Sequence, residues 1–161
     1  MKSVAELGLI AGVAVVAGFG NWLASGRPSG DPVLELEKVP LKEGEILLAQ
    51  ALKEGGQGVV WIDARPVEAW RGERMQGSIN ITMQSDEALI DQLARHAEVL
   101  FGASRVIVYC DDVHCSVSHD LSKQLKGADF SNFVAGEVLV LHGGMTALRA
   151  AGLVTSSSPG P

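Results

Sequence analysis

Two cysteines, Cys110 and Cys115, stand five residues apart in the segment VIVYCDDVHCSVSHD, with His114 and His119 beside them. Residues of these types at this spacing allow several chemistries. A thiolate at Cys110 can act as a nucleophile. Cys115 can resolve an adduct on Cys110 and leave an internal disulfide, provided the Cα atoms come within roughly 7 Å. The four side chains can also be drawn as a metal set of two cysteines and two histidines, with Cys115 and His119 one helical turn apart. His114 argues against that set, because loop amides that turn inward send its side chain outward; no metal site is expected. An inert cysteine buried at a strand end is the plain alternative.

The elements around the cysteines give Cys110 its setting. Val106, Ile107 and Val108 make a buried strand over Arg105 to Tyr109 that runs into Cys110. Ser116 to Lys126 is predicted to be a helix capped by Ser116 or Ser118. A loop this short must curl tightly, so its N–H groups converge with the helix N-terminus on one point. Such a point holds an anion and favours a thiolate. Elsewhere, Lys42 to Lys53, Pro66 to Arg71 and Asp86 to Phe101 have helical character. Val59 to Ile62, ending at Asp63, Ile79 to Ile81, and Val138 to Leu141 are predicted strands. A last helix runs from Gly143-Gly144 to Ala151. Strands alternating with helices predict an α/β fold with a mostly parallel sheet covered on both faces, whose ligands bind beyond the carboxyl ends of the strands. His96, beside Arg95, is expected to be solvated; His142, before the glycine pair, is expected to be structural or exposed.

The chain has 161 residues, 47% hydrophobic and 20% charged, which suits one modest domain with appendages. Thirteen Lys and Arg against nineteen Asp and Glu leave a net charge of −6, so a nucleic-acid partner is not expected. Two cysteines are too few for a disulfide framework or a four-cysteine zinc site. Leu7 to Gly26 is uncharged over 20 residues, the length a helix needs to cross a membrane. A single-pass anchor with the domain on the extracytoplasmic side is the favoured reading. Export after signal cleavage near Leu23-Ala24-Ser25 is a second, and a buried soluble helix a third. The expected organisation is therefore an N-terminal hydrophobic helix as anchor or signal over 1–27, a linker over 28–37, a domain over 38–154 and a disordered tail over 155–161.

Four motifs in order give a resemblance. WIDARPVEAW (Trp61 to Trp70) is similar to the strand, Asp, Arg and helix that open the rhodanese family pattern. Gly77-Ser78-Ile79-Asn80 resembles its Gly-small-Ile-Asn segment. RVIVYC places Cys110 at the family's catalytic cysteine, and VLVLHGGMTALRAAG (Val138 to Gly152) resembles its Gly-Gly close. The resemblance spans about 120 residues and implies a rhodanese-like three-layer α/β fold.

It also implies sulfur transfer without a cofactor. Cys110 would take a sulfane sulfur from a small donor as a persulfide and pass it to a thiol acceptor, a small molecule or a protein. Asp111, Asp112, Val113, His114, Cys115 and Ser116 would form the binding loop, its N–H groups stabilising the terminal sulfur. Asp63 and Arg65 would support the site, with Arg65 in position to touch substrate. The sequence departs from the family in three ways. Thiosulfate-using members usually carry a basic loop residue, whereas Asp111 and Asp112 disfavour an anionic donor, which points away from thiosulfate. Glu73-Arg74-Met75 replaces the family's Gly-His-Ile. Phosphatases of this fold need an Arg where Ser116 stands, so phosphate chemistry is not expected. The alternative is a non-catalytic rhodanese-like module that binds a partner or senses thiol redox state through Cys110 and Cys115.

Overall fold

The computed structural model describes residues 36, 38–54 and 58–156. The anchor or signal segment, including Leu7–Gly26, lies outside them, as does most of the linker. Among the described residues no helix is long and apolar enough to cross a membrane.

Five strands form one parallel sheet in the order β1 (Glu45–Ile46), β6 (Glu137–Leu141), β5 (Arg105–Tyr109), β2 (Val59–Asp63), β4 (Ile79–Asn80). The runs VVWID and RVIVY pair residue for residue, from Val59 with Arg105 to Asp63 with Tyr109. Sheet residues alternate between two covered faces, as a parallel sheet requires. Ile62, Val106, Val108 and Cys110 enter one core with Leu93, Leu100, Leu121 and Leu125. The last four come from α3 (Leu89–Arg95), α4 (Ala97–Phe101) and α5 (Val117–Lys126). Ile107, Tyr109 and Leu141 enter the opposite core with Ala51, Met145 and Leu148. Those three come from α1 (Leu48–Glu54) and α6 (Gly144–Ala150), while α2 (Val67–Gly72) follows β2. This is the expected α/β fold with its mostly parallel sheet and three layers.

Several boundaries differ from expectation. Residues 42–46 are a turn and then β1, because Glu45 and Ile46 pair with Val140 and Leu141; the helix begins only at Leu48. The expected helix over Asp86 to Phe101 is two helices broken at His96, whose φ of −109° and ψ of 12° are not helical. Thr155 and Ser156, expected in the tail, lie in a strand instead. Val154–Ser156 forms β7, which pairs antiparallel with β3 (Glu73–Met75) and satisfies its backbone groups there. Residues 157–161 lie outside the described residues.

Candidate functional site

Parallel strands end together, so β2, β4, β5 and β6 bring their last residues to one edge of the sheet. Asp63 closes β2 beside Tyr109, and Cys110 follows at once, 1% exposed. The period-two alternation that buries Val106 and Val108 turns Cys110 toward α5. Cys110 forms a disulfide with Cys115, their Cα atoms 6.4 Å apart. The Ser118 hydroxyl, itself buried, donates to the Cys110 sulfur at 3.6 Å.

The loop is built around Asp112. Its carboxylate accepts the His114 N–H at 2.7 Å and its carbonyl accepts the Cys115 N–H at 3.3 Å. This is an Asx turn, the local bond that short acidic side chains make. Two of the loop amides expected to face bound sulfur are therefore turned onto Asp112 in the disulfide state. Val113 is half-buried; His114 and Ser116 are exposed. Ser116 occupies the cap position of α5 without a side-chain bond, so the expected cap is not made by either serine. The carbonyls of Cys110 and Asp111 point the other way. They accept the N–H groups of Met145 at 2.8 Å and Thr146 at 3.2 Å, the first turn of α6. Gly144 permits this approach: it sits at φ +48°, and a Cβ there would run into the Cys110 carbonyl.

Asp63 and Arg65 hold the floor of the site. Both are buried, at 0% and 4% exposure. Arg65 donates through Nε and Nη2 to both oxygens of Asp63, through Nη2 to the Glu73 carbonyl at 2.6 Å, and through Nη1 to Asp111 at 3.5 Å. Burial alone would lower the Arg65 pKa; the Asp63 hydrogen bonds and the charges of Asp63 and Asp111 outweigh it and raise it. Arg65 thus spends most of its donors on architecture. It also offsets the charge of Asp111, a residue of the expected binding loop that is 64% exposed. Asn80 bridges the Asp63 and Arg65 carbonyls at 2.9 and 2.8 Å. Behind them, the Tyr109 hydroxyl donates to Ser78 at 3.0 Å and accepts the Met75 N–H at 3.2 Å. Burial raises the Tyr109 pKa, keeping the hydroxyl protonated as a donor.

The histidines do not join the cysteines. His119 Nε2 meets Glu45 at 2.9 Å, and His142 Nδ1 meets the other Glu45 oxygen at 2.8 Å. Burial would raise the Glu45 pKa, but the Lys42 N–H and the two imidazoles outweigh it and lower it. His142, read as structural or exposed, is buried at 4%. His96 is half-buried rather than solvated; burial first, then Arg95, lowers its pKa. Among the described residues no group of His, Cys, Asp or Glu is arranged to hold a metal ion. A separate open groove of about 630 Å³, lined by Glu43, Leu125, Lys126 and Val138 among others, lies toward the amino ends of the strands, away from Cys110.

Sequence reasoning missed Ser118 as a neighbour of the thiol. Its signal was present: Ser118 shares a buried helical stripe with Leu121, Ser122 and Leu125. Glu45 gave no local signal, because β1 and α5 meet only through the fold.

The family model for the rhodanese-like domain matches residues 47–151. The rhodanese-like domain of an Anabaena protein is 20% identical, with a TM-score of 0.52, over 74% of this chain and 86% of that one. A Bacillus halodurans protein is also 20% identical, with a TM-score of 0.52, over 70% of this chain and 76% of that one. At this identity the likeness is one of fold. No curated protein sequence matches the chain.

Proposed function

The chain belongs to the rhodanese-like domain family, and from that premise we propose that it is a sulfurtransferase with Cys110 as nucleophile. Cys110 takes a sulfane sulfur as a persulfide and yields it to a thiol. One observation carries the reading. Cys110 ends a buried central strand and heads the loop into α5, with the Ser118 hydroxyl on its sulfur. A hydroxyl donor and a helix N-terminus both favour the thiolate over the thiol. The Asp112 carboxylate is turned onto a loop amide, and Arg65 is committed to Asp63 and Asp111. A persulfide or polysulfide donor therefore suits the loop better than thiosulfate. We place the domain beside a membrane, through Leu7–Gly26, on its extracytoplasmic side.

The test is intact-mass spectrometry of the reduced full chain, its Cys110→Ser variant and its Cys115→Ser variant, after exposure to polysulfide or thiosulfate. The expected result is a gain of one sulfur from polysulfide that is held in Cys115→Ser, absent in Cys110→Ser and removed by cyanide. If no donor adds sulfur to Cys110 in any variant, the reading fails. A second reading is favoured by the Cys110–Cys115 disulfide: a thiol redox module whose only response is loss of two hydrogens on oxidation.

A further inference from the structure

Cys115 provides an acceptor inside the loop itself. The disulfide shows that the main chain, with Cα atoms 6.4 Å apart, holds the Cys115 sulfur within bonding reach of the Cys110 sulfur. The two sulfurs are not equivalent. Cys110 is buried and carries the Ser118 hydroxyl, whereas Cys115 is half-buried at the loop end. A main-chain turn ties the Cys115 N–H to the Asp112 carbonyl and, beside the Asx turn on the His114 N–H, helps to fix where Cys115 stands.

We infer that this protein releases sulfide from persulfides, with Cys115 discharging the Cys110 persulfide and the disulfide as the product state. The inference rests on the persulfide reading above. In the first step the Cys110 thiolate attacks the terminal sulfur of a donor R–S–SH. The donor S–S bond breaks, RS⁻ leaves as the thiol, and Cys110–S–SH forms. In the second, the Cys115 thiolate attacks Cys110 Sγ. The Cys110–Cys115 bond forms, the bond to the outer sulfur breaks, and that sulfur leaves as HS⁻. Two thiols have been oxidised and one sulfane sulfur reduced to sulfide, so the electrons balance. In the third, an external dithiol reduces the disulfide and becomes a disulfide itself. The sum is R–S–SH plus dithiol giving the thiol RSH, hydrogen sulfide and the oxidised dithiol.

The asymmetry of the two sulfurs sets the direction of the third step. A reductant reaches Cys115 more readily than buried Cys110. Attack on Cys115 expels Cys110, the sulfur whose thiolate Ser118 stabilises. The mixed disulfide then forms on Cys115, and the nucleophile is restored without being blocked. The reaction that supplies this protein is thus one that makes low-molecular-weight persulfides, and the reaction that sustains it is a dithiol-disulfide exchange.

The test uses the reduced full chain, freed of reductant, with one equivalent of glutathione persulfide and no other thiol. Sulfide and intact mass are followed together, with Cys110→Ser as the background. The parent is expected to release one sulfide per chain, stop, and end two hydrogens lighter. Adding dithiothreitol restores turnover. Cys115→Ser and Cys115→Ala are expected to hold the added sulfur and release sulfide much more slowly than the parent until excess thiol is supplied. If those variants gain sulfur but the parent also retains it, or if they release sulfide as fast as the parent, the inference is overturned while the persulfide reading stands. If none of the proteins gains sulfur or releases sulfide above Cys110→Ser, both fall.

Discussion

Removing the Ser118 hydroxyl isolates its effect on the nucleophile. Ser118 is buried and its hydroxyl donates to the Cys110 sulfur at 3.6 Å. A hydrogen bond to a charged acceptor contributes about 1.5–3 kcal/mol, and a long bond to sulfur belongs at the low end. One pKa unit corresponds to about 1.4 kcal/mol, so Ser118→Ala should raise the Cys110 pKa by about one unit. The rate does not fall by the full factor of ten, because a more basic thiolate is intrinsically more nucleophilic, with a Brønsted slope of about 0.4–0.5. Below both pKa values, Ser118→Ala should therefore react about threefold more slowly than the parent. Above both it should react about threefold faster. The assay is alkylation by iodoacetamide against pH, with Cys115→Ser in both proteins so that one thiol remains. A change in access alone would move both limbs of the profile the same way, so the crossing separates the two causes. Ser118→Thr, which keeps a hydroxyl, should restore the parental profile. An unmoved Cys110 pKa in Ser118→Ala refutes the role of the hydroxyl.

Other consequences follow from the same geometry. Arg65→Ala leaves the Asp63 carboxylate buried without its partner, and urea unfolding should show a loss of about 3–5 kcal/mol. Gly144→Ala forces a Cβ toward the Cys110 carbonyl at a positive φ; it should cost about 1–3 kcal/mol and slow Cys110 alkylation even where the protein stays folded. Tyr109→Phe removes a buried hydroxyl that serves Ser78 and Met75, for a loss of about 1–3 kcal/mol in the same unfolding assay. Glu45 has a folded pKa below its ordinary value of 4.5, so its contribution is present above that pH and fades as pH falls through the lowered value. The stability gap between parent and Glu45→Gln should therefore be full at neutral pH and close in acid; a gap that widens in acid refutes the assignment.

Much of the fold is legible in the sequence because its signals are local. The short apolar runs at Val59 to Ile62 and Val106 to Val108 suit buried strands between two layers of helices. The pair Gly143-Gly144 at the start of α6 marks a positive-φ turn that favours glycine. What was lost carried no such local signal. The two-residue strand β1 carries too short a pattern to declare itself, and β7 exists only because β3 offers it an edge. His96 breaks a helix that hydrophobic spacing alone would continue.

The site divides along the same line. The sequence alone determined that Cys110 ends a buried strand and heads a short loop into a helix, since strand pattern and loop length are properties of adjacent residues. The tertiary structure alone decided what surrounds the thiol. Ser118 reaches it because α5 docks its buried stripe on the Cys110 face of the sheet. Arg65 reaches Asp111 across 46 residues because β2 and β5 are paired in register. Glu45 draws in His119 and His142 across 74 and 97 residues, and so engages His119, which sequence set beside the cysteines, in a different cluster. Contacts of that span depend on strand order and register, which no stretch of adjacent residues encodes by itself.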